Sequence, residues 1–159
     1  MQKSQLLQQI LVSLTKSLSV LEKAARASHA EATHESSRAE SKYDTRGLEA
    51  AYLAGGQAKQ AKEILDSIQI YKSLTPRDFA RGEPIELTAL VELEANGTRS
   101  AYFIGPKSGG REIEHQHKEI IVITPQSPLG QSLMGRKAGD HWIAKFGGST
   151  VKYHIASVS

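Results

Sequence analysis

The strongest constraint on this chain is a register that runs from residue 7 to residue 72. Leu7, Leu11, Leu14, Leu18, Leu21, Ala25, Ser28 and Ala32 recur in alternating steps of four and three, and so do Gly47, Ala51, Ala54, Ala58, Ala61, Leu65, Ile68 and Lys72. That alternation is the seam of a coiled coil. The two series fit one another if the chain folds back near residue 39, so that facing numbers sum to 79. Leu11 then faces Ile68, Leu14 faces Leu65, Leu18 faces Ala61, Leu21 faces Ala58, Ala25 faces Ala54 and Ser28 faces Ala51. Large residues meet at the base and small ones toward the fold-back. The expected object is an antiparallel α-helical coiled-coil hairpin over residues 1–75. Each arm of about 32 residues would reach about 48 Å at a rise of 1.5 Å per residue. Its tip would be Glu35-Ser-Ser-Arg-Ala-Glu-Ser-Lys-Tyr-Asp44, which sets Glu35, Glu40 and Asp44 at the end of a thin probe.

Local signals refine the arms. The first helix is expected from near Ser4 to the low thirties, the second from Tyr43 or Asp44 until shortly before Pro76, because a residue preceding proline is pushed out of the helical region. Gly55-Gly56 interrupts the second arm at a cost of about 1 kcal/mol per glycine, and close approach at the seam is one reason to tolerate it.

A hairpin has no interior beyond its seam, so the rest of the 159 residues must hold the compact core. Residues 76–84 read as a linker with two prolines and a glycine. From Ile85 the period drops to about two. Ile85, Leu87, Ala89, Val91 and Leu93 alternate with Glu86, Thr88, Leu90, Glu92 and Glu94, the pattern of a half-buried strand. Asn96-Gly97 signals a tight hairpin turn, with a return strand from Ser100 to Ile104. Residues 105–110 read as a loop, and residues 119–124 as a third strand. Ser127-Pro128 has the form of a helix cap followed by proline at the first helical position, with Gly135 as the stop. A last hairpin is expected over residues 141–146 and 150–158 around Gly147-Gly148. The fold class is therefore α+β: a helical hairpin, then an antiparallel sheet domain with one short helix over residues 85–159.

Composition excludes several function classes. A net charge of +3 is too weak to imply nucleic-acid binding by itself. With no cysteine there are no disulfides and no thiolate metal sites, which fits a reducing cytosol. The opening Met-Gln-Lys-Ser-Gln lacks the apolar run of a signal peptide, and no apolar stretch has the length of a membrane span. A cytoplasmic protein without a membrane partner is expected.

The segment Ile123-Thr-Pro-Gln-Ser-Pro-Leu-Gly-Gln-Ser-Leu-Met-Gly-Arg-Lys-Ala-Gly-Asp140 resembles the signature of the Gre-type (GreA/GreB) bacterial transcript cleavage factors. These carry a similar Ser-Pro, short apolar helix, Gly-Lys and Gly-Asp turn. The strand, Gly-Gly turn and final strand that follow are similar too. At the tip, Glu40-Ser-Lys-Tyr-Asp44, then Tyr52-Leu-Ala-Gly-Gly-Gln, is similar to the family's tip motif. The resemblance covers nearly the whole chain. It implies an FKBP-like C-terminal domain that docks on bacterial RNA polymerase. It implies a coiled coil that enters the secondary channel, where tip carboxylates help hold a second Mg²⁺ beside the RNA 3′ end and activate water for cleavage of backtracked RNA. On that reading Asp44, Glu40 and Glu35 are the candidate catalytic residues, with Asp44 and Glu40 the Mg²⁺ ligands. The chain would be a monomeric accessory factor and not an enzyme in its own right, since the polymerase owns the active site.

The chemistry is coherent by itself. Two metal ions about 3.5–4 Å apart stabilise the attacking and leaving oxygens of phosphodiester hydrolysis, and Mg²⁺ takes few protein carboxylates. The tip departs from the family in one respect. Cleavage-competent tips have two acids three residues apart ahead of the tyrosine, whereas an ungapped alignment on Tyr43 places Ser36 and Ala39 there. Arg38, Lys42 and Arg46 also stand close by. Cleavage, and channel occupancy that modulates or inhibits the polymerase without cleavage, are both open.

Other readings stand beside this one. Tip acids often serve as solvated charges or helix-terminus partners, and Asp44 suits a helix cap. Glu112, Glu114, His115 and His117 have a metal-like composition, but without a third well-placed ligand a solvated polar segment is the simpler account. An FKBP-like domain raises prolyl isomerisation, and a hairpin without a polymerase would be a coiled-coil adaptor.

Overall fold

The structure is a computed structural model that describes residues 2–33 and 45–159. It is α+β: two long N-terminal helices, then six strands and one short helix. Helix α1 spans Gln2–Thr33 and α2 spans Thr45–Ser73. The strands are β1 (Leu90–Ala95), β2 (Thr98–Ile104), β3 (Glu112–His115), β4 (Lys118–Ile123), β5 (His141–Phe146) and β6 (Ser149–Val158), with α3 (Pro128–Leu133) between β4 and β5. Two compact units result, one of residues 11–72 and one of residues 1–10 with 73–159.

In the helical unit the covered stripe of α1 follows the expected register. Leu14 is fully buried, and Leu11, Leu18 and Leu21 are half-buried. On α2 the expected register is corrected. Leu65 is 45% exposed and Ala58 and Lys72 are exposed, so Leu14 has no seam partner at Leu65. Ala61 and Ile68 are covered as expected, and with Gln57, Ile64 and Tyr71 they recur in steps of four and three, with Ser67 and Ile70 covered beside them. Ile64-Leu65 and Tyr71-Lys72 offer two adjacent phases, and the bulkier Tyr71 sits on the buried one. A Cβ at Gly56 would meet nothing within 4 Å, so close approach does not account for that glycine.

The sheet order is β3-β4-β2-β1-β6-β5. The expectation of a purely antiparallel sheet is corrected here. β2 and β4 run parallel, joined by residues 105–117, and the sheet is mixed. That connection also hides a strand. β3 pairs with β4 as a hairpin whose turn, Gln116-His117, has φ of 51° and 61°. Both central residues of a type I′ turn take positive φ, usually Asn or Gly. Asn96-Gly97 (φ 49° and 82°) and Gly147-Gly148 (φ 53° and 85°) match that chemistry as read from sequence.

The first strand begins later than the alternation implied. Residues 85–89 form a turn, with Thr88 at φ 72°, Ala89 N–H bonded to the Glu86 carbonyl at 3.1 Å, and Leu87 left 36% exposed. The buried Thr88 instead uses both its groups: its N–H donates to the Ile104 carbonyl at 2.8 Å and its Oγ1 accepts from Arg77 N–H at 3.2 Å.

The core lies between one sheet face and α3. Val91, Leu93, Ile104, Ile123 and Ile155 pack with Leu133, Ile85 and Phe79, and Leu129, Met134, Trp142 and Tyr153 close its rim. On the opposite face, alternation directs Phe103, Ile113, Ile120 and Val122 away from α3, and these are buried too. The first turns of α1 belong to the same unit, and their Leu6, Leu7 and Ile10 are buried.

Candidate functional site

The three tip carboxylates, Glu35, Glu40 and Asp44, lie outside the described residues, as do Arg38, Lys42 and Tyr43. The residues the structure does describe define three features of the sheet unit.

The first is the segment that carries the family signature. Ser127 caps α3: its Oγ accepts from Gly130 N–H at 3.1 Å and donates to the Thr124 carbonyl at 2.7 Å. Pro128 fills the first helical position, where a missing N–H costs nothing. Gly130 is buried so tightly that a Cβ would stand 1.8 Å from the Thr124 carbonyl oxygen. At the far end Gly135, at φ 81°, donates to the Ile85 carbonyl at 2.9 Å, and Ile85 N–H returns a bond to Arg136 at 2.7 Å. The Gly-Asp pair makes the next turn. Asp140 Oδ2 accepts from Lys137 N–H at 2.8 Å, while Gly139 N–H and the Asp140 carbonyl bond to Ile155 at 2.8 and 2.9 Å. These motif residues therefore act on the backbone: they start a helix, stop it and splice it to a strand.

No family model and no curated protein matches the chain. Solved structures do. The GreA factor homolog 1 (Gfh1) protein of Thermus thermophilus is 23% identical over 98% of this chain and 93% of its own, with a TM-score of 0.36. Thermus aquaticus Gfh1 is 22% identical over 99% and 94%, with a TM-score of 0.38. A further structure, described as the transcription factor Gfh1, is 20% identical over 93% and 92%, with a TM-score of 0.39. The likeness is to a GreA-type factor.

The second feature is the root of α1. Lys3 is 6% exposed, with its Nζ donating to the Arg77 carbonyl at 2.6 Å and lying 4.6 Å from the Phe79 ring centre. Burial lowers its pKa from 10.5 to about 8, with Asp78 opposing the shift and Arg77 adding to it. Arg77 covers the same ring at 3.8 Å and pairs with Glu86 at 2.9 Å. Six residues further along α1, Gln9 Oε1 meets His115 Nδ1 at 2.5 Å. Neither tie was legible in the sequence, because each spans 70 or more positions and joins ordinary polar residues.

The third feature is a charged strip across the sheet face away from α3. Lys118 on β4 reaches Glu92 on β1 at 2.9 Å; Glu92 also faces Arg99 on β2 at 3.6 Å. Arg99 holds Glu94 at 2.5 Å, Glu94 holds His154 on β6 at 3.2 Å, and His154 stacks on His141 of β5 with ring centres 4.2 Å apart. Hydrogen bonds from Arg99 and then His154 lower the Glu94 pKa. An open groove of about 400 Å³ lies at its β2–β4 end, lined by Glu92, Arg99, Lys118 and Glu119. The sequence showed only the polar half of an alternation here.

The metal-like cluster does not assemble. Glu112 and Glu114 are exposed on one face of β3, His115 is buried on the other, and His117 sits in the turn. Among the described residues no three His, Asp or Glu side chains are placed to hold a metal. Tyr153 stacks on Trp142 at 5.0 Å, and the Arg136 guanidinium lies 4.0 Å from the Trp142 ring centre. Among the described residues no helix is long and apolar enough to cross a membrane.

Proposed function

We propose that this chain is a Gre-type accessory factor of bacterial RNA polymerase. Its two N-terminal helices form an antiparallel coiled-coil hairpin that enters the secondary channel, and its C-terminal unit is the FKBP-like handle that docks outside. The observation that carries the reading is the segment from residue 123 to residue 140. It resembles the Gre-type signature, and Ser127, Gly130, Gly135 and Asp140 each meet a specific backbone requirement there.

In this reading the protein is no enzyme by itself. The polymerase supplies the first Mg²⁺ and most of the site. Asp44 and Glu40 would hold the second Mg²⁺, with Glu35 the third candidate carboxylate. That ion would supply an activated water for attack on the phosphorus of the backtracked RNA, with the 3′ oxygen of the retained RNA as leaving group and the phosphate kept by the released 3′ fragment. The protein acts as a cytoplasmic monomer at the RNA 3′ end. Given Ser36 and Ala39 at the positions of the usual acid pair, the same entry without cleavage is the companion reading, in which the hairpin modulates or inhibits elongation.

A stalled, backtracked elongation complex with Mg²⁺ tests this. Shortening of the RNA from its 3′ end, lost in the Asp44→Ala, Glu40→Ala double variant, is the outcome expected of cleavage. Binding that slows elongation without shortening assigns the modulator role. Absence of binding to the polymerase overturns both.

A further inference from the structure

The strand order ends at β5, so one edge of His141–Phe146 has no hydrogen-bonded neighbour among the described residues. On the face away from α3, β5 presents His141, Ile143 and Lys145 in turn. Directly across on β6 stand His154, Lys152 and Thr150. Ile143 is 63% exposed, and it is bounded along its own strand by His141 and Lys145 and across the ladder by Lys152. Both lysines are exposed, and neither has an ion-pair partner among the described residues. Glu94, on the same sheet face of β1, is already held by Arg99 and His154.

We infer that the β5 edge takes an extended acidic segment of another protein, added as a seventh strand. Free backbone donors and acceptors on an edge strand supply the main-chain bonds of such an addition, and the side chains beside it set specificity. Here those side chains call for an apolar residue opposite Ile143, in whose row Lys152 lies, flanked by one carboxylate opposite Lys145 and one opposite His141, each diagonal to Lys152. A second copy of this chain does not meet the requirement, since antiparallel pairing of two β5 edges about Ile143 sets Lys145 across from the other copy's His141 and supplies no carboxylate. A phosphate backbone would satisfy the lysines but leave Ile143 uncovered, which favours protein over nucleic acid. The inference stands independently of the polymerase reading.

The test uses the full chain, labelled with ¹⁵N, and a peptide of about twelve residues in which Thr alternates with the series Glu, Leu, Glu, so that acids and the apolar residue share one face when extended. Amide shifts should change along residues 141–154. The dissociation constant should rise about tenfold in the Lys145→Glu, Lys152→Glu variant and about fivefold in Ile143→Thr, which keeps strand propensity. A dispersed amide spectrum verifies that each variant is folded. The inference is overturned if the peptide leaves this region unmoved, if both variants bind as wild type does, or if a single-stranded RNA of equal charge gives the same shifts.

Discussion

Gln9 Oε1 sits 2.5 Å from His115 Nδ1, joining the third turn of α1 to the end of β3 across 106 positions of sequence. His115 is buried, so its ring N–H has no water to turn to if the amide is removed. A buried donor left without an acceptor costs about 1–3 kcal/mol, while replacing both partners by apolar groups of similar shape can be close to neutral. Gln9→Ala should therefore lower stability by about 1–2 kcal/mol in urea unfolding. The Gln9→Leu, His115→Leu pair should lose less than the sum of its two single changes, the coupling expected of groups in contact. Strict additivity would show that the contact contributes nothing.

Gly130 offers a sharper case. A methyl group there would collide with the Thr124 carbonyl, which is backbone and has little freedom to move. Overpacking of this kind costs up to about 3 kcal/mol, or roughly 10 °C in melting temperature for a domain of this size. Ser127→Ala, which removes the cap bond and the hydroxyl's bond to the Thr124 carbonyl, should cost about 1–2 kcal/mol. Thermal melts of the two variants should rank in that order; the reverse order would contradict the packing described for α3.

Lys3 gives the protein an alkaline signature. Its pKa falls from 10.5 to about 8 on folding, chiefly because burial disfavours the charge. Between those values the unfolded chain binds more protons than the folded one, so stability rises with pH across that window. Below pH 8 the amine is charged in both states and the full cost of burying it is borne. Removing that burden by raising the pH is worth at most about 3 kcal/mol. In Lys3→Met, stability measured from pH 7.5 to pH 10.5 should lose this upward slope. A slope identical to wild type would assign it to other groups.

What the sequence revealed of this fold was mostly local. The Ser127-Pro128 cap and the Asn96-Gly97 and Gly147-Gly148 turns depend on neighbours a few positions away, and residue type alone specifies them. The turn at Gln116-His117 escaped because neither residue advertises positive φ. The parallel pairing of β2 with β4 has no signature, since nothing in either run records its partner's direction. The alternation from Ile85 was misleading: Ile85 and Ala89 are buried because a turn returns the chain to the core, and Leu87 is left outside. For α2, Ile64 and Leu65 are equally apolar, so only the cover each receives distinguishes the phases. At the candidate site, the family signature was readable because its residues are contiguous. The strip from Lys118 to His141 was not, because its six residues come from five strands.

The position of β6 carries a consequence for how the molecule comes into being. It is the last strand in sequence, yet it lies inside the sheet, between β1 and β5. While residues 149–158 are still within the ribosome, β1 lacks one of its two neighbours and β5 has none. Closure of the sheet across β1, β6 and β5 therefore waits until residues 149–158 are free to pair. A chain stopped before residue 149 forfeits two strands at once, and with Ile155 it forfeits a residue from the centre of the core.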